Sequence, residues 1–397
     1  MAARGGNMHL SRMMRFRQTL ALGFSWITSA ILGDVKMTKN STTTIAPFRV
    51  LSLDGGGMRG LYTATLLKTL AEHFSLMFKG ADANADCDVI GGHFNLIAGT
   101  STGGILAVAL AAGMSLREII SLYKDKGLDI FPEKHSMPNK NIKLIGWLWK
   151  FLKKPSANHS ALREHLEKLF EKKTLAEIYQ KTGIALCIPC VDATTRKTVV
   201  IKTPHFPNLT RDGKRKAVDV CMATSAAPTY FQMATMPRPD AEGHDTFVDG
   251  GLWANNPVII ALIEALELAE EGQSIEIISV GTCNPPSGQT FQAKDCTRGL
   301  LDWRFGADAL SLSLDAQAYG HDVVAQKLKN KLNVPCKIVR LPSNAPSDKD
   351  ARHFGLDKAY KEALDVLESR AVDDARDIQS RYDKGESDIQ LFASIFK

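Results

Sequence analysis

The sequence predicts an α/β fold in which a mostly parallel central sheet carries helices on both faces. Short apolar runs typical of buried strands alternate along the chain with longer segments of helical periodicity. This alternation predicts parallel strands, because each parallel pair needs a long crossover that is usually a helix. The composition supports a globular chain, since 44% of the 397 residues are hydrophobic and 23% are charged.

The first part of the chain contains two strand–helix pairs. The apolar run FRVLSLDGGG (48–57) ends in glycines and predicts a buried strand, and residues 61–78 follow with helical spacing. HFNLIAGTS (93–101) predicts a second strand. TGGILAVALAAG (102–113) is apolar on every side, which indicates a helix that is buried all round.

The rest of the chain continues the alternation. Ser115 and Glu118 form a capping box, which predicts the start of a helix over 115–127. Further strands are predicted at 184–193, 198–203, 246–251 and 275–282, and further helices at 257–270, 307–331 and 355–382.

The net charge and the cysteines argue against several classes of function. Five of the basic residues lie in the first 36 positions, so the remainder of the chain has no concentrated basic face for nucleic acid. Cys187 and Cys190 form a lone C-x-x-C without the two further ligands that a zinc site needs. Their apolar flanks predict buried strand cysteines, and we expect neither a metal nor a cofactor.

The strongest chemical signal is GTSTG, a G-x-S-x-G between an apolar strand and a buried helix. Such a turn is typical of a nucleophile elbow, with Ser101 as the nucleophile and Gly99 and Gly103 allowing the sharp bend. The helix N-terminus would stabilise negative charge on an attacked carbonyl. The alternative is an ordinary turn in which Ser101 caps the helix.

A second glycine-rich junction, DGGGMRG, lies at residues 54–60. The amides of Gly55, Gly56 and Gly57, with the positive charge of Arg59, are typical of an oxyanion hole. Gly55, Gly57 and Gly60 also match the dinucleotide fingerprint G-x-G-x-x-G. That alternative predicts a nucleotide-binding protein, but no acidic residue closes a second strand about 20 positions on.

Ser101 needs a base to accept its proton. Asp249 lies at the end of a predicted strand, before Gly250 and Gly251, where its carboxylate would stay open to a neighbour. A triad of Ser101, Asp249 and either His321 or His353 is the alternative, because the order Ser, Asp, His also fits a triad hydrolase.

The three motifs together resemble the patatin-like phospholipases, which combine D-G-G-G-x-[RK]-G, G-x-S-x-G and D-G-[GA] in this order. The resemblance covers about residues 48–282. It implies a three-layer, modified α/β-hydrolase fold and a Ser101–Asp249 dyad without histidine. It also implies an oxyanion hole of Gly55, Gly56, Gly57 and Arg59, with phospholipids and related acyl lipids as substrates.

A narrower resemblance rests on ATSAAPTYF (223–231) and GGLWANNP (250–257), which look like those of one bacterial subgroup. Members of this subgroup act in anti-phage defence and are activated by a cyclic dinucleotide. The resemblance therefore implies a cyclic dinucleotide activator and membrane phospholipid as the substrate.

The segment KLIGWLWKFLKK (143–154) is the predicted membrane contact. Lysines occupy one arc of a helical wheel and apolar residues the rest. Trp147, Trp149, Lys150 and Phe151 would bind the headgroup region of an anionic lipid surface. The alternative is an ordinary buried helix with a solvated lysine face.

The chain is expected to divide into a leader at 1–46 and a single catalytic domain at 47–397, whose last part, from about residue 300, is helical. The leader is predicted to be poorly ordered; a secretory signal, a surface anchor and an extension before a natural start at Met37 are the alternatives. We expect a cytoplasmic protein that acts at the inner membrane surface, and the chain could form a homo-oligomer.

Overall fold

The structure is a computed structural model. Its described residues form a central sheet of eight strands, seven in one continuous order and one paired to a strand within that order. The structure describes residues 45–80, 86–132, 157–283, 306–341 and 352–397, together with residues 292, 296–299, 302–303, 344–347 and 350. Residues 1–44 of the predicted leader and the whole predicted membrane contact, with Trp147, Trp149, Lys150 and Phe151, lie outside the described residues. From Ala46 to Lys397 the chain forms one compact unit.

The strands lie in the order β5-β6-β3-β2-β1-β7-β8, with β4 paired to β3. Their bounds are β1 Phe48–Leu53, β2 Leu96–Gly99, β3 Ala185–Asp192, β4 Lys197–Lys202, β5 Ala234–Pro237, β6 His244–Asp249, β7 Ile275–Val280 and β8 Cys336–Arg340.

The predicted α/β fold is confirmed, and four of the seven strand pairings between described residues are parallel. β1 pairs in parallel with β2 and β7, and parallel pairs also join β2 to β3 and β7 to β8. The pairs β3–β4, β3–β6 and β5–β6 are antiparallel. Short connections account for two of these pairs, because residues 193–196 between β3 and β4 and residues 238–243 between β5 and β6 allow a hairpin and no crossover.

The pairing register brings the ends of β2 and β6 together. β4 covers the whole of one edge of β3, from Cys187 to Asp192. β2 therefore lies on the other edge, with Ala98 opposite Cys187, and β6 follows on that same edge, with Asp249 opposite Cys190. Since β2 and β6 run in opposite directions, their carboxyl ends converge at this gap.

The described helices cover both faces of the sheet. Their bounds are α1 Gly60–Lys79, α2 Thr102–Ala111, α3 Leu116–Ile130, α4 His159–Phe170, α5 Leu175–Thr182, α6 Ala217–Thr224, α7 Gly251–Ala254, α8 Val258–Leu268, α9 Ala307–Leu328, α10 Lys361–Asp383 and α11 Ser387–Ala393. The predicted capping box of Ser115 and Glu118 starts α3. The sequence interpretation missed β5, β8, α4, α5, α6, α7 and α11.

The core consists of two layers, one on each face of the sheet. Leu51 and Leu53 of β1 pack into the larger layer with α1 and α2. Phe48 and Val50, the alternate residues of the same strand, pack into the smaller layer with α8. Burial on both faces explains why β1 reads as a continuous apolar run. Within the described segments, no helix combines the length and the hydropathy that a membrane crossing requires.

Candidate active site

Ser101 lies at the turn from β2 into α2 in a strained backbone conformation. Its φ is 55° and its ψ is −123°, a region that side-chain-bearing residues rarely adopt. A Cβ on Gly103 would come within 2.5 Å of the carbonyl oxygen of Asp54, and Gly99 packs as closely against Gly103. The two glycines therefore let β2, α2 and the end of β1 approach closely, and the turn presents the half-buried Ser101 hydroxyl.

Asp249 meets Ser101 across the gap between β2 and β6. The Ser101 hydroxyl donates to Asp249 Oδ2 at 2.6 Å. The other carboxylate oxygen, Oδ1, accepts the backbone N–H of Gly251 at 2.7 Å. Both oxygens of Asp249 are thus held, and one of them faces the hydroxyl directly.

The environment of Asp249 suits a base. The residue is 5% exposed, and its burial raises the pKa of the carboxyl to about 6, while the hydrogen bonds from Ser101 and Gly251 act in the opposite direction. The group therefore remains mostly ionised at neutral pH and binds a proton more readily than an exposed aspartate does.

The glycine loop after β1 presents two free amides beside Ser101. The N–H of Gly55 donates to Asn255 O at 2.9 Å, and that of Met58 to Leu356 O at 2.9 Å. Among the described residues, the amides of Gly56 and Gly57 have no hydrogen-bond partner. Gly56 and Gly57 are therefore the loop amides that remain available to an anionic oxygen, whereas the amide of Gly55 is already used.

Two arginines support this loop. Arg59 lines the cavity beside Ser101, and its Nε lies 3.4 Å from Gly56 O. Burial lowers the pKa of its guanidinium. From β8, Arg340 binds both carboxylate oxygens of Asp54, at 2.9 and 2.5 Å, and so fixes the residue that precedes the glycines.

Thr224, at the end of α6, joins the elbow to β3. Its hydroxyl accepts the N–H of Ser101 at 3.0 Å and donates to Pro189 O at 2.7 Å. Its carbonyl accepts the N–H of Gly250 at 3.3 Å. One threonine therefore fixes both the turn that carries Ser101 and the turn that follows Asp249.

Ser101 and Asp249 open into a mostly apolar cavity of about 980 Å³, which includes some open solvent. Its walls come from separate elements of the fold. The apolar side chains of the wall are Met58, Ile105, Leu122, Ile130, Phe131, Leu162, Pro228, Phe231, Leu252, Leu310, Leu314 and Leu356. An apolar wall of this kind favours an acyl chain, because each methylene that it buries gains about 0.8 kcal/mol.

The histidines of the alternative triad bind elsewhere. His321 Nδ1 lies 2.8 Å from Asn256 O, and His353 Nδ1 lies 2.9 Å from Tyr360 Oη. No histidine occurs among the described residues that line the cavity. The geometry thus joins Ser101 to the carboxylate without an imidazole between them.

Cys187 and Cys190 are buried on β3 without a disulfide, as the sequence predicted. A search of the described segments finds no group of three or more His, Cys, Asp or Glu side chains that could hold a metal ion.

The sequence interpretation missed Thr224, Asn255 and the Asp54–Arg340 pair. Thr224 and Asn255 belong to the runs ATSAAPTYF and GGLWANNP, but their roles depend on contacts between distant segments. No local signal indicates the role of Arg340, because the strand that carries it, β8, was not predicted.

This chain is similar in sequence to a known protein family and to individual bacterial proteins. A model of the patatin-like phospholipase family matches residues 51–262. A cGAMP-activated phospholipase of Escherichia coli (strain TW11681) is 39% identical over 239 residues, 59% of this chain and 62% of that protein. A cGAMP-activated phospholipase of Vibrio cholerae serotype O1 is 32% identical over 331 residues, 81% of this chain and 88% of that protein.

Similarity extends to more distant proteins. Patatin-like protein 3 of Arabidopsis thaliana is 28% identical over 318 residues, 72% of each chain. Among solved structures, VipD from Legionella pneumophila aligns with a TM-score of 0.35 and 13% identity, over 82% of this chain and 67% of VipD.

Proposed function

The chain belongs to the patatin-like phospholipase family, and we propose that Ser101 and Asp249 are the catalytic dyad with which it hydrolyses lipid acyl esters. The observation that carries this assignment is the 2.6 Å hydrogen bond from Ser101 Oγ to Asp249 Oδ2 at the wall of an apolar cavity. A strained serine, a buried carboxylate and free loop amides beside an acyl-chain pocket suit ester hydrolysis.

The first half of the reaction forms an acyl-enzyme. Ser101 Oγ attacks the ester carbonyl carbon, and its proton passes to Asp249 Oδ2. The carbonyl oxygen takes up negative charge and accepts hydrogen bonds from the amides of Gly56 and Gly57. The tetrahedral intermediate collapses, the bond to the alcohol oxygen breaks, and the leaving alkoxide takes the proton from Asp249.

The second half releases the fatty acid. A water molecule enters where the alcohol has left and gives one proton to Asp249 as its oxygen attacks the acyl carbon. The same amides stabilise the second tetrahedral intermediate. Its collapse breaks the bond to Ser101 Oγ, which recovers the proton from Asp249.

The cavity supports a long-chain lipid as the substrate. We propose that the protein acts on phospholipids at the inner membrane surface, as a peripheral cytoplasmic enzyme. The apolar wall favours transfer of an acyl chain out of the bilayer, since both environments are apolar. The segment 143–154 remains the predicted membrane contact.

A cyclic dinucleotide is the proposed activator. Relatives from three bacterial species are named cGAMP-activated phospholipases, and two of them align with 88% of their length. Their names support the same control in this chain. The proposal of a role in anti-phage defence rests on the sequence resemblance to the bacterial subgroup. We expect cGAMP to raise the rate at which the protein releases fatty acid from phospholipid vesicles. Other cyclic dinucleotides are tested in the same panel. If the rate is equal with and without cGAMP, the proposal is wrong.

The nucleophile is tested by Ser101→Ala. The variant should fold normally and lose fatty acid release by several orders of magnitude, because no other group can form the acyl-enzyme. A fluorophosphonate probe should label the wild type and leave the variant unlabelled. Turnover above a few per cent of wild type would contradict the assignment of Ser101.

The base is tested by Asp249→Asn with histidine controls. An amide keeps the shape of the carboxylate but cannot accept the serine proton at neutral pH, so this variant should be inactive. His321→Ala and His353→Ala should keep their activity with a soluble p-nitrophenyl ester. A folded but inactive histidine variant would favour a triad instead.

A further inference from the structure

One buried polar side chain beside the dyad has no partner. Asn255 is 5% exposed and lines the cavity. Among the described residues, no hydrogen bond reaches its side-chain amide; only its backbone carbonyl is engaged, by the N–H of Gly55. The polar atoms of this amide stay accessible from the cavity, so a molecule bound there can supply the hydrogen bonds that a side-chain amide normally makes.

The neighbouring asparagine shows the usual arrangement. Asn256 Oδ1 accepts the N–H of Val258 at 3.0 Å, and its Nδ2 lies 3.3 Å from Ala318 O. Both ends of that amide thus support the start of α8 and the packing of α9. Asn255 has the same side chain one position earlier, but its amide supports neither the start of α8 nor the packing of α9.

Asn255 projects between the two halves of the candidate site. Its Oδ1 and the Cβ of Ser101 both lie within 3.3 Å of the position that a Cβ would occupy on Gly55. The same Oδ1 lies 3.3 Å from the corresponding position on Gly251, close to Asp249 Oδ1. The amide therefore lies at the cavity wall between the glycine loop and the turn that follows Asp249.

The backbone holds Asn255 firmly in this place. The residue ends α7 with a φ of −59° and a ψ of −37°. Its carbonyl binds the glycine loop, and the carbonyl of the preceding Ala254 accepts the hydroxyl of Thr100 at 2.6 Å. The turn is thus hydrogen-bonded both to the glycine loop after β1 and to the elbow after β2. Within the described part of the chain, the side chain of Asn255 itself makes no hydrogen bond.

We propose that the side-chain NH2 of Asn255 donates a hydrogen bond to the oxyanion, as a third donor beside the amides of Gly56 and Gly57. The inference rests on the proposed function, because it requires the tetrahedral intermediate on Ser101. Since the oxygen and NH2 of a free amide exchange places by a half-turn about χ2, the NH2 can face the charged oxygen. A donor that is held in place before the charge develops stabilises the transition state without reorganisation.

The test compares Asn255→Ala and Asn255→Asp with the wild type on a soluble p-nitrophenyl ester. Removal of one oxyanion donor should lower kcat by about 10²–10³-fold, with kcat/KM falling equally and KM nearly unchanged. Asn255→Asp keeps the shape but has no N–H donor when ionised. It should be at least as slow as the alanine variant. If the aspartate variant kept near-wild-type kcat, the side chain would only fill space, and the inference would be wrong.

Two further readouts separate this role from others. Because the side chain makes no hydrogen bond in the fold, Asn255→Ala should keep or raise the unfolding temperature, whereas a structural role predicts a clear fall. A normal burst of p-nitrophenol followed by slow turnover would place the defect in the attack of water alone and overturn the inference. Ser101→Ala is the parallel control. If Ser101→Ala stays active, the proposed function fails, and if it is inactive while Asn255→Ala is normal, only the inference fails.

Discussion

If Asp249 is the base, as we propose, its ionisation decides when Ser101 can react. Burial raises the pKa of its carboxyl to about 6, and only the ionised form can accept the serine proton. We therefore expect kcat/KM for a soluble ester to rise about tenfold per pH unit below pH 6 and to level off above it. A stopped assay across pH 4.5–8.5 measures the profile. A plateau that extends unchanged below pH 5 would contradict the raised pKa.

The same pKa shift predicts a pH-dependent effect on stability. The folded-state pKa lies above the ordinary value of 3.8, so Asp249 favours folding at low pH, and this contribution is lost as the pH rises through about 6. Asp249→Asn should therefore raise the free energy of unfolding at pH 7.5 by up to about 3 kcal/mol and have little effect near pH 3, below both pKa values. Urea unfolding at the two pH values measures the difference, and an equal effect at both would refute the linkage.

At the scale of single elements, the end of β1 depends on the end of β8. Asp54 is 1% exposed, and Arg340 is its bidentate partner. Arg340→Met should lower the free energy of unfolding by about 3–5 kcal/mol, because it leaves a buried carboxylate unpaired. The glycine loop that follows Asp54 should lose its fixed position, so the ester kcat should fall as well. Urea denaturation and initial rates measure the two effects.

A surface pair on α10 provides the control. Arg376 binds Asp373 at 3.1 Å, and both side chains are more than half exposed. Arg376→Met should change the free energy of unfolding by less than about 1 kcal/mol. Equal losses in the Arg340 and Arg376 variants would mean that the Asp54 pair does not hold the loop.

At the scale of the whole molecule, the cavity should decide which acyl chains the protein accepts. Leu314 of α9 lines the cavity, and its Cδ2 lies 3.1 Å from the position of a Cβ on Gly251. Leu314→Trp should lower kcat/KM for a decanoyl ester by at least about tenfold more than for an acetyl ester, since the larger ring occupies the space of the chain. Initial rates on the two p-nitrophenyl esters give the ratio.

Leu312 is the matched control on the same helix. Its side chain is 59% exposed and does not line the cavity. Leu312→Trp should leave the ratio of the two esters unchanged. If the Leu312 variant shifted the ratio as much as the Leu314 variant, the effect would come from α9 in general and not from the cavity.

The sequence by itself predicted the candidate catalytic groups and the local elements that carry them. The elbow around Ser101, the glycine loop at 54–60 and the strand that ends at Asp249 each follow from short-range rules on glycine, apolar runs and helix starts. The capping box of α3 is equally local, because its two hydrogen bonds join residues three positions apart. These features need no knowledge of the rest of the chain.

Only the tertiary structure decided which of these groups meet. Ser101 and Asp249 are 148 positions apart, and they touch because β2 and β6 share one edge of β3 and end at the same gap. Arg340, Thr224 and Asn255 join the site through equally distant pairings. Strand register and direction are set by the packing of the whole sheet and by the lengths of its connections, so no local pattern contains them. For that reason the sequence names the candidate groups, while the fold places the carboxylate of Asp249, and neither His321 nor His353, in contact with Ser101.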